Sequence, residues 1–236
     1  MEDLLLAWFE RSARDLPWRR RRDPYAVLVS EVMLQQTQVP RVVPRFVQWM
    51  QRWPTVEALA GDRRDEVIRA WQGLGYNRRA VNLHRAAAIV AERGWPADLT
   101  ELPGVGPYTA AAIRRFAWCE PVLPMDTNVE RVIERTGAEF GPGSAEALMD
   151  LGREVCLARV PRCDVCPLAA GCPSRGRRYE PLRKQTPFRG SFRQRRAETL
   201  RLVVSGASQG LDADAVSSLL RDGLVVVEAG EVRLPA

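Results

Sequence analysis

The segment ELPGVGPYTAAAI, residues 101–113, places Gly104 and Gly106 between two stretches with helical periodicity. Glycines at a tight turn let the backbone approach a partner closely, and the amide groups that open the next helix form a site suited to a phosphate. Thr109 can also cap that helix through its side chain. We therefore expect two helices joined by a short hairpin that can contact a phosphate backbone.

The chain around this segment is helical in pattern up to about residue 176, because apolar residues recur there at three- and four-residue steps between Pro and Gly residues. The segment RGRRYEPLRKQTPFRGSFRQRR, residues 175–196, loses this periodicity and is typical of a basic linker. Two further helical stretches follow, at residues 197–206 and 212–223, and then LVVVEAGEVRLP, residues 224–235. The last stretch predicts a β-hairpin turned at Ala229 and Gly230. Two helices and a hairpin predict a small winged-helix-like unit.

Composition and charge limit the class of protein. The chain has 236 residues, 46% of them hydrophobic, which fits a globular protein with one large or two modest domains. Its net charge of +6 favours a polyanionic partner, with nucleic acid first. Lys184 is the only lysine, so amine chemistry has one candidate residue. No apolar run approaches a membrane span, and the first twenty residues lack the apolar core of a signal peptide, so we expect a cytoplasmic protein.

Four of the five cysteines lie within seventeen residues, in CLARVPRCDVCPLAAGC, residues 156–172. Cysteines at such short spacing in a reducing compartment more often bind metal than form disulfides. The candidates are a tetrahedral zinc ion and an iron–sulfur cluster. A single Cys-x2-Cys pair flanked by looser spacings favours the larger cluster. The predicted ligands are Cys156, Cys163, Cys166 and Cys172. The fifth cysteine, Cys119, is predicted to be a core residue.

A second polar motif, VLPMDTNVERV at residues 122–132, places Asp126 just before a helical stretch and Asn128 close behind it. Taken alone, Asp126 is more often the N-cap of such a helix than a catalytic group. Glu31 raises a similar question. In SEVMLQQTQV, residues 30–39, it stands on an apolar helix, where a glutamate is more often a surface residue or a capping partner.

Three of these motifs together resemble the helix-hairpin-helix DNA glycosylases. The hairpin L-P-G-V-G-x-x-T-A and the spacing C-x6-C-x2-C-x5-C are similar to that superfamily, and SEVMLQQTQV resembles its adenine glycosylase branch. The resemblance implies an all-α, two-lobed fold and one structural [4Fe-4S] cluster that presents basic residues to DNA. It also implies a monomeric DNA repair enzyme, in bacteria associated with the nucleoid, acting on double-stranded DNA with a mispaired base.

The resemblance assigns catalytic roles. It implies that Glu31 protonates the departing adenine and that Asp126, with Asn128 nearby, faces the sugar as an ionised carboxylate. Tyr108 stands where the bifunctional branch has a lysine, which implies a monofunctional hydrolysis by water.

The resemblance also assigns the residues that contact DNA. Asn77 stands where the family often has a second aromatic residue. The implied base-pocket and DNA-contacting residues are Trp18, Arg19, Gln35, Gln36, Tyr76, Gly104, Gly106 and Thr109.

The expected organisation is a six-helix module over residues 20–125 and a cluster lobe formed by residues 1–19 and 126–176. A basic linker over 177–195 and a small unit over 196–236 complete it. Some fifty C-terminal residues are too few for the large domain with which many relatives read 8-oxoguanine. The resemblance implies that the substrate is adenine, and the short C-terminus leaves either 8-oxoguanine or guanine as the opposite base. Alternatives are a glycosylase for thymine or uracil opposite guanine, a non-catalytic cluster-containing DNA-binding protein, and a zinc-binding winged-helix regulator.

Overall fold

The computed structural model describes residues 1–180 and 187–236. The predicted linker falls partly outside these residues, as does Lys184. Through residue 180 every regular element is helical, and one small sheet lies near the C-terminus, so the predicted helical fold class is confirmed. The α-helices are α1 (Glu2–Ser12), α2 (Pro17–Arg20), α3 (Pro24–Leu34), α4 (Val39–Arg52), α5 (Val56–Ala60), α6 (Arg64–Ala70), α7 (Arg78–Arg93), α8 (Pro107–Trp118), α9 (Thr127–Thr136), α10 (Ala145–Glu154), α11 (Phe192–Val204) and α12 (Ala213–Arg221).

The chain divides into two compact units. The first consists of residues 1–27 and 106–184, and the second of residues 28–105 and 185–236. The lobe boundaries expected from the sequence stay predictions. None of the helices among the described residues is long and apolar enough to cross a bilayer.

The first unit is built around the packing of α10 against α1 and α9. Its core contains Leu5 from α1, Val129 from α9 and Leu148 from α10, none of which is exposed. Glu2, in the first turn of α1, accepts a hydrogen bond of 2.9 Å from the backbone N–H of Gly141 and another from the Ser144 hydroxyl. These bonds hold the N-terminal helix to the segment that leads into α10.

The second unit has α7 at its centre, with α5 and α6 packed against it. Trp49 meets Trp53 and Trp71 edge to face, with ring centroids 4.5 and 5.4 Å apart, and all three rings are buried. Residues 28–34 of α3 also belong to this second unit. This part of the helix is buried on nearly every side, which explains why its residues are apolar all round and not only along one stripe.

The C-terminal segment packs onto this second unit and does not stand apart from it. Leu200 of α11 and Leu219 of α12 share one buried core with Ile68 of α6 and Val81 of α7. Arg69 reinforces the contact by donating a 2.6 Å hydrogen bond to the carbonyl of Val204.

The predicted C-terminal hairpin is present. Strands β1 (Val226–Glu228) and β2 (Glu231–Arg233) pair antiparallel, with Glu228 opposite Glu231. Ala229 and Gly230 form the two-residue turn, and both have positive φ (52° and 79°), as a type I′ turn requires. The winged-helix character of this unit stays a prediction.

Three local expectations were wrong. Cys119 is exposed and not in the core, because it ends α8 in the left-handed conformation (φ 58°). Thr109 does not cap α8, because the helix begins at Pro107, a residue suited to the first helical position, and Thr109 lies inside the first turn. α11 begins at Phe192, within the predicted linker, because the Ser191 hydroxyl caps it by accepting a 3.4 Å hydrogen bond from the N–H of Gln194.

Candidate functional site

Glu31 lies on α3 in the second unit and is 8% exposed. Its neighbours on the helix are equally enclosed, since Ser30 is 1% exposed and Val32 2% exposed. The expectation that a lone glutamate here would more often lie on a helix surface therefore does not hold. A buried carboxyl group must be hydrogen-bonded or paired, so a glutamate at this position has a role other than solubility.

The segment after α3 turns sharply. Gln36 is exposed and has a left-handed backbone (φ 54°). Gln35 donates a 3.4 Å hydrogen bond from its side-chain amide to the carbonyl of Gly104. The two glutamines singled out from the sequence thus extend from the end of the helix that carries Glu31, and one of them contacts the glycine of the hairpin.

Tyr76 stands in the loop before α7. It too has a left-handed backbone (φ 46°), and its side chain is 44% exposed. A residue with a Cβ adopts this conformation only at an energetic cost, and such strain gathers at functional sites.

The hairpin places its two glycines in different environments. Gly104 has φ 81°, and a Cβ there would lie 3.0 Å from the Cβ of Asn82, so the position requires glycine. Gly106 is the N-cap of α8, and a Cβ there would meet open space. Among the described residues no atom lies within 4 Å of that added Cβ, so the backbone at Gly106 has room for the close approach of a partner. Tyr108, the second residue of α8, is half-buried, and Thr109 is 3% exposed.

Asp126 is the N-cap of α9 in the first unit, and its carboxylate is held by three donors. Oδ1 accepts from the N–H groups of Asn128 (2.9 Å) and Val129 (2.7 Å), while Oδ2 accepts from the side-chain amide of Asn128 (2.8 Å). The helix N-terminus favours a negative charge at this point. The structural role weighed from the sequence is therefore real, and it fixes the direction of a half-buried carboxylate.

Arg131 extends this network, and sequence reasoning missed it. Its guanidinium donates to Asn128 Oδ1 (2.8 Å), to the carbonyl of Gly152 (2.7 Å) and to the carbonyl of Cys156 (2.8 Å). A continuous chain of hydrogen bonds thus joins Asp126 to the start of the cysteine loop. The three-residue step from Asn128 to Arg131, one helical turn, was the available sequence signal.

Arg19 is engaged mainly with its own unit. It donates to Asp150 at 2.9 and 3.0 Å, to the carbonyl of Arg14 at 3.0 Å, and lies over the ring of Phe9. Arg14 also donates to Asp150, whose side chain is 1% exposed. The neighbouring Trp18 is half-buried in α2. The role of both as base-pocket residues stays a prediction.

The four cysteines of the loop line one cavity in the first unit, and this cavity opens to solvent. Among the described residues no three His, Cys, Asp or Glu side chains are grouped as ligands of a metal ion.

The surroundings of the sulfur atoms suit negatively charged thiolates. The N–H of Gly176 donates to Cys163 Sγ (3.3 Å), and Arg135, 6% exposed, donates to Cys156 Sγ (3.5 Å). Burial raises the pKa of the Cys166 thiol, and the neighbouring thiols raise it further, so a thiolate at Cys166 needs a bound cation beside it. The residues present therefore fit a bound metal centre held by thiolates.

Five arginines around this loop are exposed and available to a polyanion. Three lie beyond its last cysteine and two lie within it, namely Arg175, Arg177, Arg178, Arg159 and Arg162.

Comparison with known proteins defines the class. Residues 29–156 match the family described as HhH-GPD superfamily base excision DNA repair protein. The fold agrees, since the chain superposes on a thermostable thymine-DNA glycosylase with a TM-score of 0.65 and 26% identity over 72% of this chain and 93% of that one. A non-covalent endonuclease III–DNA complex shows the same fold with a TM-score of 0.62 at 23% identity, covering 72% of this chain and 91% of that one.

The most similar curated relatives narrow the class further. The chain is 39% identical to the adenine DNA glycosylase of Mycolicibacterium smegmatis, over 94% of this chain and 91% of the relative. It is 39% identical to that of Mycobacterium tuberculosis H37Rv, over 94% and 88%. The human adenine DNA glycosylase is 38% identical over 73% of this chain and 39% of its own length. The chain belongs to the adenine DNA glycosylase family of the HhH-GPD superfamily.

Proposed function

We propose that this protein is a DNA N-glycosylase that removes adenine from a mispair with 8-oxoguanine or guanine and leaves an abasic site. The observation that carries the proposal is the 39% identity over 94% of the chain with relatives named adenine DNA glycosylase. The geometry of two carboxyl groups, each described within its own unit, supports the chemistry.

Glu31 is the proposed general acid. Adenine is a poor leaving group as an anion, so a proton delivered to its N7 must accompany rupture of the bond between N9 and C1′. The electron pair of that bond goes to the departing base. Glu31 is 8% exposed, so its carboxyl is largely withdrawn from bulk water.

Asp126 is the proposed stabiliser of the sugar. Departure of the base leaves positive charge on the sugar, and a fixed carboxylate lowers the free energy of that state. Its three hydrogen bonds hold the carboxylate in place before the reaction, so no reorganisation is needed.

Water is the proposed nucleophile at C1′. Tyr108 stands at the hairpin position where bifunctional relatives have a lysine, and the chain's only lysine, Lys184, lies outside the described residues. A water molecule therefore adds to C1′ and gives its proton to the Glu31 carboxylate, which has just protonated adenine, and the strand is not nicked.

The four loop cysteines are the proposed ligands of one [4Fe-4S] cluster, which supplies structural support and takes no part in hydrolysis. The exposed arginines of the loop contact phosphates. Gln35, Gln36 and Tyr76 fill the space left by the extruded base, and Gly106 admits a phosphate to the start of α8.

The test compares four duplexes in parallel, which carry adenine opposite 8-oxoguanine, adenine opposite guanine, thymine opposite guanine and uracil opposite guanine. Alkali reveals the abasic sites. Adenine should be removed fastest, and borohydride should not trap the enzyme on DNA.

The two variants Glu31→Gln and Asp126→Asn should each lower the single-turnover rate by about a thousandfold or more while DNA affinity is kept. Asparagine is as good an N-cap as aspartate, so Asp126→Asn removes the charge and preserves α9. If adenine excision survives both substitutions, the assignment of the carboxyl groups is wrong.

A thymine glycosylase is the second candidate, favoured by the superposition on a thymine-DNA glycosylase. Faster removal of thymine than of adenine by the unaltered protein would establish it. Tight mismatch binding without excision of any base would instead indicate a non-catalytic protein.

A further inference from the structure

A buried arginine in the second unit has no role in the chemistry described above. Arg79, in the first turn of α7, is 8% exposed and makes seven hydrogen bonds. The acceptors belong to two chain segments. The first segment supplies the carbonyls of Val32 (2.7 Å), Met33 (2.9 Å) and Gln35 (2.7 Å) and the hydroxyl of Thr37 (3.0 Å). The second segment supplies the carbonyls of Leu74 (3.3 Å), Gly75 (3.0 Å) and Tyr76 (3.3 Å).

All seven acceptors are uncharged oxygen atoms, so the guanidinium is buried at a cost that neutral dipoles must offset. Burial lowers the pKa of Arg79 to about 10, and the side chain therefore remains charged at neutral pH. Trp71 and Tyr76 add to its environment, with their ring centroids 5.2 and 5.6 Å from the guanidinium carbon.

The first set of acceptors closes the end of α3. A helix leaves its last carbonyls without partners inside the helix, and a cation is favourable at that end. Arg79 donates hydrogen bonds to the carbonyls of Val32 and Met33 at the end of α3. It also donates to the carbonyl of Gln35, just before the left-handed residue Gln36.

The second set closes the loop that ends at Tyr76, the other left-handed residue of this region. Arg79 binds the carbonyl of Tyr76 itself and that of Gly75 before it. One planar side chain therefore fixes two strained turns, and each turn presents an exposed side chain, Gln36 and Tyr76.

We propose that Arg79 is a positioning residue that sets Gln36 and Tyr76 relative to one another, so that the two side chains enter the DNA duplex together when the base is extruded. This inference rests on the proposed function. Arg79 acts through the two turns and not on the DNA. Lysine cannot replace it, because a guanidinium presents five donors in a fixed plane whereas an ammonium presents three on a flexible stem.

The variants that test this are Arg79→Lys and Arg79→Gln, with Arg78→Gln as the matched control. Arg78 is the preceding residue of the same helix, its side chain is 66% exposed, and it forms only a 3.5 Å surface ion pair with Asp222. Arg78→Gln and Arg79→Gln therefore remove the same charge from the same turn of α7.

Single-turnover excision of adenine is measured on two duplexes, one with adenine opposite guanine and one with adenine opposite a tetrahydrofuran abasic analogue. The second adenine is already unpaired and needs less work from the inserting residues. Both Arg79 variants should lose about a hundredfold on the paired duplex, because small misplacements are costly, and at most about tenfold on the unpaired one. Arg78→Gln should match the unaltered protein on both.

A fluorescence measurement separates this inference from the proposed function. A 2-aminopurine placed beside the mismatch brightens when the neighbouring stack is disrupted, and this requires binding but no excision. The brightening should be lost in Arg79→Lys and kept in Arg78→Gln, even if the protein excises a base other than adenine.

Two results would overturn the inference. One is an equal loss of activity on the two duplexes by a variant whose urea unfolding midpoint is unchanged. The other is normal brightening by Arg79→Lys. If Arg79→Gln fails to fold, Arg79→Lys carries the comparison, since it keeps the charge and part of the bonding.

Discussion

At the scale of single residues, Gly152 shows how one missing side chain makes room for the partner of a proposed catalytic group. A Cβ at residue 152 would lie 2.7 Å from the Cβ of Asn128 and 2.8 Å from its carbonyl oxygen. Asn128 in turn holds the carboxylate of Asp126. The glycine therefore lets α10 lie close enough to α9 to keep this network in place.

The change Gly152→Ala should lower the free energy of unfolding by about 2 kcal/mol, because the overlap outweighs the higher helix propensity of alanine. Adenine excision should fall with it, since Asn128 must move. Urea unfolding and single-turnover excision measure the two effects. Gly143→Ala is the control, because a Cβ there meets nothing within 4 Å. Equal stability of Gly152→Ala and the unaltered protein would contradict the prediction.

Asp150 gives the clearest pH dependence. Burial alone raises the pKa of this carboxyl, but the hydrogen bonds from Arg19 and Arg14 outweigh burial and hold the pKa below its ordinary value. A depressed pKa in the folded state means that the stabilisation is present above the pKa of the unfolded chain, about 3.9, and is lost as the pH falls below it.

The variant Asp150→Asn should therefore be less stable by about 3 kcal/mol at neutral pH, because two arginines lose their partner. The difference from the unaltered protein should shrink below about pH 4. Urea unfolding at pH 7, 5, 4 and 3 measures it. Asp15→Asn, which removes an exposed pair with Arg20, should change stability by less than about 0.5 kcal/mol throughout. A difference that stays constant from pH 7 to pH 3 would rule out this account.

At the scale of elements, α12 shows how the C-terminal segment is held. Leu219 is fully buried in the core shared with Ile68 and Val81, whereas the next residue, Leu220, is 38% exposed. Leu219→Ala should cost about 3 kcal/mol, and Leu220→Ala less than about 0.5 kcal/mol, in the urea unfolding of the whole chain. If the two variants lost similar amounts of unfolding free energy, Leu219 would not be the residue that α12 buries in this core.

What the sequence could predict at this scale follows from the range of the forces involved. The hairpin turn at Ala229 and Gly230 was predicted correctly, since two adjacent residues determine a tight turn. Cys119 was placed wrongly, because the end of α8 depends on a left-handed residue that no local pattern announced. Arg79 and Arg131 were missed, because a buried arginine that binds carbonyls across the fold looks like any other of the chain's thirty-four arginines.

The same distinction applies to the candidate site. Glu31 and Asp126 were proposed because each stands in a short motif, and their catalytic roles stay predictions. The motif also indicated that Asp126 can cap α9, since a capping carboxylate contacts residues two and three positions ahead. It did not predict that Gly152 makes room for Asn128, because that contact joins residues 24 positions apart on two packed helices.

At the scale of the whole molecule, the net charge of +6 predicts a strong salt dependence of DNA binding. Replacing Arg175, Arg177 and Arg178 together by Gln should reduce the magnitude of the slope of log K against log salt by about 3, because each lost phosphate contact reduces it by nearly one. The excision rate at saturating enzyme should not change. Binding titrations from 50 to 300 mM salt measure the slope. An unchanged slope would show that these three arginines do not contact the DNA phosphates.

The division of the chain into units also has a consequence for synthesis on the ribosome. Residues 1–27 belong to a unit whose other part begins only at residue 106. Leu5 therefore cannot pack with Val129 and Leu148 until the 78 intervening residues have been synthesised. The intervening residues cannot be fully buried at that stage either, since Ile68 and Val81 pack in one core with Leu200 and Leu219. The second unit therefore cannot complete its core before residues 200–234 are synthesised, and the nascent chain must keep apolar helices from aggregating until then.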